Sequence, residues 1–100
     1  MFKKAVFMLK DDFINRIKAK HYSLKTFEAY WPHVEDYLRW NKRGNIWRHP
    51  RDMGSPEITA YLTHLAVNRH VSASTQNQAL SAILVLYREV LNLNIHGVDA

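Results

Sequence analysis

Residues 23–40 read SLKTFEAYWPHVEDYLRW. Their apolar members Phe27, Tyr30, Trp31, Val34, Tyr37 and Leu38 recur at three- and four-residue intervals, which places them on one face of an α-helix. Lys25, Ala29, Asp36 and Arg39 project from the other side. Ser23 stands where its hydroxyl can accept a hydrogen bond from an orphan amide of the first turn, so the helix is predicted over Leu24 to about Trp40. Pro32 removes the amide that would bond the Glu28 carbonyl, and it predicts a kink between Glu28 and Pro32 or a second helix start at Pro32.

The same period recurs on both sides of this stretch. Val6, Leu9, Phe13, Ile14 and Ile17 form an apolar stripe opposite Lys10, Asp11, Asp12, Arg16 and Lys18, which predicts a helix over about 6–19. From Asn41 to Gly54 the period fails. Gly44, Pro50 and Gly54 interrupt it, Lys42, Arg43, Arg48, His49 and Arg51 crowd it, and the segment reads as a basic loop. Ser55-Pro56-Glu57 then supplies a capping hydroxyl, a proline at the first helical position and an acid in the first turn. A helix over 56–68 follows, with Ile58, Tyr61, Leu62, Leu65 and Ala66 inward.

After the turn Arg69-His70-Val71, Ser72 or Ser74 can cap a last helix over about 73–92. Its predicted inward stripe is Leu80, Ile83, Leu84, Tyr87 and Leu91, with Thr75, Gln78, Ala82 and Val85 facing outward. No β alternation occurs, so the fold class is all-α: four helices around one core, a single domain across residues 1–100. Trp31, Leu62, Leu65, Leu84 and Tyr87 are expected to be buried.

Composition agrees with a packed domain. One hundred residues support one core, and a hydrophobic fraction of 47% argues against disorder. The absence of cysteine excludes disulfides and thiolate chemistry. The net charge is +5, and nine of the fourteen Lys and Arg residues lie between Arg16 and Arg51, a clustering that favours a polyanion. The opening MFKKAVFMLKDD loses its apolar run at Lys10 and Asp11, too early for a signal-peptide core, and no stretch is long enough to span a bilayer. A cytoplasmic protein with no membrane partner is expected.

Chemistry is sparse. The six histidines form no His-Glu-x-x-His pair, the Ser and Thr residues fit helix caps, and Asp11-Asp12 diverge on a helix. Glu35 and Asp36 read as salt-bridge partners of nearby cations. No catalytic residue, metal, cofactor or small-molecule substrate is expected. The informative run is Ser72-Ala73-Ser74-Thr75-Gln76-Asn77-Gln78, because amide side chains pair with adenine edges and a helix N-terminus attracts phosphate. The same residues also suit ordinary capping and solvation of a first turn.

Five stretches carry a resemblance: Lys20-His21-Tyr22-Ser23-x-x-Thr26-x-x-x-Tyr30, then Arg48-His49-Pro50-Arg51-x-Met53, and His64-Leu65-Ala66 with Ala73-Ser74-Thr75-Gln76-Asn77-Gln78-Ala79-Leu80 and Leu86-Tyr87-Arg88-Glu89-Val90-Leu91. Together they resemble the N-terminal core-binding region of integron integrases, within the tyrosine recombinases, over about residues 13–91. The resemblance implies a SAM-like four-helix bundle that clamps duplex DNA, with its second and fourth helices toward the major groove. It also implies a separate C-terminal domain that carries the nucleophilic tyrosine and cuts DNA through a phosphotyrosyl link. That domain is absent from these residues, and the chain is not expected to cleave DNA unaided.

Carried over by position, the DNA-facing set is Lys20, His21, Ser23, Lys25 and Thr26 at the first turn, with Ser74, Thr75, Gln76 and Gln78 on the last helix. Charge adds Lys42, Arg43, Arg48 and Arg51 as phosphate contacts. Gln76, near the apolar edge, also suits a structural role. Pro32 and the length of Asn41 to Trp47 depart from the family pattern and put the reach of the basic loop in question. The expected partners are double-stranded DNA and other recombinase subunits. The alternative is a helical protein-interaction module, which salt distinguishes, since DNA binding weakens steeply as salt rises and an apolar interface does not.

Overall fold

The computed structural model describes residues 2–98, with the side chains of residues 8–98. It is all-α, with helices α1 (Phe2–Ala19), α2 (Leu24–Trp40), α3 (Ser55–Val67) and α4 (Ala73–Val85), and no named strand among the described residues. Helix α1 begins four residues before the predicted start, and the side chain of Val6 lies outside the described residues. Leu9, Phe13 and Ile17 are buried as their spacing requires, whereas Ile14 is half-buried.

Local chemistry explains the helix ends. The Ser23 hydroxyl accepts from the Thr26 amide at 3.2 Å, and the Ser72 hydroxyl accepts from the Thr75 amide at 3.1 Å. Helix α1 stops where the Tyr22 amide reaches back to the Ile17 carbonyl at 3.0 Å, with His21 held at φ 65°. His70 and Asn92 also adopt positive φ, at 54° and 55°. Helix α2 runs through Pro32 as one element, so the second helix start is excluded; the proline ring faces solvent.

At α3 the expected cap is displaced by one residue. Gly54 is the capping residue, and its amide donates to the Glu57 carboxylate at 2.8 Å. Ser55 does not cap. Its hydroxyl donates to the His96 carbonyl at 2.6 Å and ties the C-terminal segment to the start of α3. Ala66, expected inward, is exposed.

Helix α4 does not continue regularly to 92. A π-turn spans Leu86–Val90, marked by the Leu91 amide donating to the Leu86 carbonyl at 3.0 Å. Its buried face is also rotated from the predicted one: Ala79, Ala82, Ile83, Leu86 and Tyr87 are buried, while Leu80 and Leu84 are half-buried. Ala82, predicted outward, is 0% exposed. Small side chains at 79 and 82 let α4 approach α2, its main packing partner, and the larger aliphatics fall to the margin.

Aromatic rings fill the core between helices. Phe13 of α1 meets Trp31 of α2 with centroids 5.7 Å apart, and Tyr37 meets Tyr61 edge-on at 5.5 Å and Tyr87 at 6.4 Å. Because Ile83 is enclosed and Leu84 half-open, Ile83→Ala is expected to cost about 3 kcal/mol and Leu84→Ala about 1 kcal/mol. Urea melts of the two variants check the order; equal losses would contradict the rotated face of α4.

Candidate nucleic-acid interface

The α1–α2 turn and the outer side of α4 adjoin. Lys20 Nζ lies 3.2 Å from Glu89 Oε2, linking the turn to the π-turn that ends α4. Beside this pair, Tyr22, Ser81, Leu84, Val85, Arg88 and Glu89 line one shallow pocket. Ser74, Gln78, Ser81 and Val85 follow at four-, three- and four-residue steps, the spacing of a single helical face. Ser74, Gln78 and Ser81 are exposed, as are Lys20, His21, Ser23 and Lys25.

Several residues of the expected set are engaged within the protein. Thr26 is half-buried, and its hydroxyl lies 3.2 Å from that of Ser23. Thr75 accepts from the Ser72 hydroxyl at 3.1 Å. Gln76 Nε2 donates to the Leu62 carbonyl at 3.0 Å, which fastens α4 to α3 and matches the structural alternative for this residue. Gln78 and Ser74 point outward from the same helix without such ties.

The loop cations do not join this face as one patch. Lys42 and Arg43 follow the C-terminal end of α2, at the opposite end of a helix roughly 25 Å long from Lys25. Arg48 turns inward to Glu57 at 3.4 Å. Arg51, the middle residue of the Pro50–Asp52 3₁₀ turn, lines a groove with Met8, Asp12, Val90 and Leu91. Among the described residues no carboxylate is paired with Lys25, Arg43 or Arg51.

Tyr22, Ser81 and Arg88 belong to the face but were absent from the expected set. Ser81 was legible, since it stands seven residues from Ser74 on one stripe. Arg88 was not, because the π-turn shifts the register there.

Placement of α4 depends on an ion pair in the α3–α4 turn. Arg69 donates from Nη1 and Nη2 to the two oxygens of Asp36 at 2.7 and 3.1 Å, and Tyr61 donates to Asp36 Oδ2. Burial alone would raise the Asp36 carboxyl; the hydrogen bonds from Arg69 and Tyr61 outweigh it and hold the group below its ordinary value. The Gly54 amide does the same for Glu57, against burial and aided by Arg48. The sequence reading paired Asp36 with nearer cations; Arg39 pairs instead with Glu35, at 3.9 Å.

The family model of the phage integrase N-terminal SAM-like domain matches residues 9–96. An integrase/recombinase of Escherichia coli is 43% identical over 81 residues, and so is an integrase/recombinase of Pseudomonas aeruginosa. Each match covers 81% of this chain and 23% of the relative, so the chain spans less than a quarter of those proteins. Among the described residues no helix is long and apolar enough to cross a membrane.

A depressed carboxyl stabilises the folded state above its unfolded pKa, and that contribution fades as pH falls through the folded value. Asp36→Asn is therefore expected to melt below the parent at pH 7, with the gap shrinking as pH drops below about 4. Thermal melts across that range check it; a constant gap would mean that the carboxylate charge is not what holds the turn.

Proposed function

The chain belongs to the family of phage integrase N-terminal SAM-like domains, and from that premise we propose that it is the DNA-gripping, non-catalytic domain of an integron-type tyrosine recombinase. The observation that carries this reading is the junction of the α1–α2 turn with α4, where Lys20 reaches Glu89 at 3.2 Å and Tyr22 shares a shallow pocket with Ser81, Val85 and Arg88, next to an exposed stripe of Ser74, Gln78 and Ser81 on α4 and the exposed Lys25 at the start of α2. The integron type rests on the Ala73 to Leu80 run.

In this reading Lys25 and Lys20 meet phosphates and set the register of the duplex, while Gln78 and Ser74 face base edges in the major groove. Arg51, Arg43 and Lys42 extend the phosphate contacts along the loop. Gln76, Thr75 and Arg48 hold the helices that present those groups. The reaction itself is assigned to the remainder of a recombinase, and the setting is the cytoplasm.

Other recombinase subunits are the second proposed partner. The observation favouring subunit contact is Trp40, 37% exposed and stacked on His64 at 5.0 Å, with Val67 exposed one turn along α3. Such an apolar interface would hold as salt rises, whereas the DNA grip would not.

Titration of the chain against duplex DNA at low salt is expected to give a dissociation constant in the micromolar range or weaker, with affinity falling steeply as salt is added. Lys25→Ala and Arg51→Ala should weaken binding to every duplex alike and each reduce the salt slope by roughly one counterion. Gln78→Ala in a complete recombinase should cost roughly 1 to 3 kcal/mol on its own recombination site and little on random DNA. Absence of binding by the parent, or affinity insensitive to salt, would overturn the reading.

A further inference from the structure

Near its start the basic loop makes a closed hairpin turn. The Arg43 amide donates to the Ile46 carbonyl at 2.9 Å, and the Ile46 amide donates to the Arg43 carbonyl at 3.0 Å, leaving Gly44 and Asn45 as the two central residues. Gly44 has φ 62°, in the left-handed region that glycine enters without strain, while Asn45 is not among the positive-φ residues. That pattern is the glycine-first turn that fits the twist of a two-stranded ribbon.

Residues directly opposite in such a pair project to the same side. Arg43 and Ile46 therefore stand side by side on one face, and Lys42 and Trp47, one step back, share the other. On that second face Lys42 Nζ lies 4.8 Å from the Trp47 ring centroid, and Trp47 packs against the core. Trp47 roots the turn in the body, and the two Arg43–Ile46 backbone bonds close its tip.

What the tip presents is unusual for a solvated turn. Ile46 is 71% exposed, more than any other large hydrophobic among the described residues, and the exposed Arg43 beside it has no carboxylate partner there. No acid occurs from Asn41 to Arg51. A phosphate contact needs only the cation; the aliphatic group adds nothing to it. The minor groove has a use for both, since its negative potential draws in arginine and its floor admits an apolar wedge between base pairs.

We propose that the Arg43–Ile46 tip is a minor-groove probe, with the guanidinium entering the groove of duplex DNA and Ile46 pressing open a base step. The inference rests on the DNA-binding reading above and extends it to a second groove. A groove about 6 Å wide excludes the turn's backbone but admits single extended side chains, so the Arg43 and Ile46 side chains, not the turn itself, would enter it. Pyrimidine–purine steps, which unstack most readily, are the preferred targets.

The test uses the 100-residue chain and an A·T-rich duplex of about two helical turns carrying 2-aminopurine at a central TA step. Binding by the parent should brighten the 2-aminopurine as the step opens. Ile46→Ser should abolish the brightening and weaken binding roughly three- to tenfold, and Arg43→Ala should erase any preference for A·T-rich over G·C-rich duplexes. Both positions lie outside the core, so both variants should melt with the parent. Parent binding without brightening, or an Ile46→Ser variant that binds and brightens like the parent, overturns the probe. If Lys25→Ala still weakens binding in that case, the DNA-binding reading survives; a parent that does not bind this duplex at all overturns both.

Discussion

Three oxygen atoms meet in the middle of the bundle. Tyr87 donates to the Pro50 carbonyl at 2.8 Å, and since that carbonyl can only accept, the 3.0 Å contact with Tyr37 must be filled by the Tyr37 hydroxyl donating to Tyr87. Both phenols are 0% exposed, so each oxygen depends on the next for a partner. The relay joins α2, α4 and the 3₁₀ turn of the loop, and no two of these can move apart without stranding a buried polar group. Burial pushes Tyr87 up to about 12 and Tyr37 further still, so the joint keeps its protons through the ordinary pH range. The peripheral Asp36–Arg69 clamp, by contrast, depends on a charge.

Helix α4 has two tasks, and its composition divides between them. Toward the core it offers Ala79 and Ala82, both fully enclosed, whose small side chains leave room for the neighbouring helices. Away from the core it offers Ser74, Gln78 and Ser81, short polar groups on the proposed DNA face. Gln76 between the two faces is spent on the Leu62 carbonyl, and that bond fixes the rotation of the helix about its axis. An outward glutamine is useful for base reading only if its helix does not roll.

Much of this was legible in the residues. The apolar stripes of residues 9–17 and 27–38 are long and regular, and the buried faces of α1 and α2 follow from them. Ser23 and Ser72 are good caps in sequence and in structure. The rotation of α4 was not legible, because Leu80 and Leu84 outrank alanine on any scale of hydrophobicity, and only the closeness of α2 makes alanine the better core residue at 79 and 82. Ser55 misled for a similar reason: a hydroxyl before proline suits a cap, but the Glu57 carboxylate reaches the Gly54 amide first and frees the serine for His96. Of the expected DNA set, Lys20, His21, Ser23, Lys25, Ser74 and Gln78 are exposed, while Gln76 and Arg48 are held by tertiary partners that no local spacing announces. The hairpin within the loop was equally hidden, since a two-residue turn leaves no periodic trace.

The contact between Lys42 and Trp47 also bears on how the molecule can be observed. The chain has three tryptophans in three settings: Trp31 enclosed with Phe13 and Phe27, Trp40 at the surface on His64, and Trp47 under an ammonium at the root of the hairpin. Indole emission is sensitive to nearby charge and to water. Trp31 therefore signals the loss of the apolar interior, Trp40 reports whether the His64 ring stays stacked on it, and Trp47 senses whatever draws Lys42 away from its ring. With each indole kept alone in turn, the chain becomes its own fluorometer, with separate channels for the core, the outer flank of α3 and the basic loop.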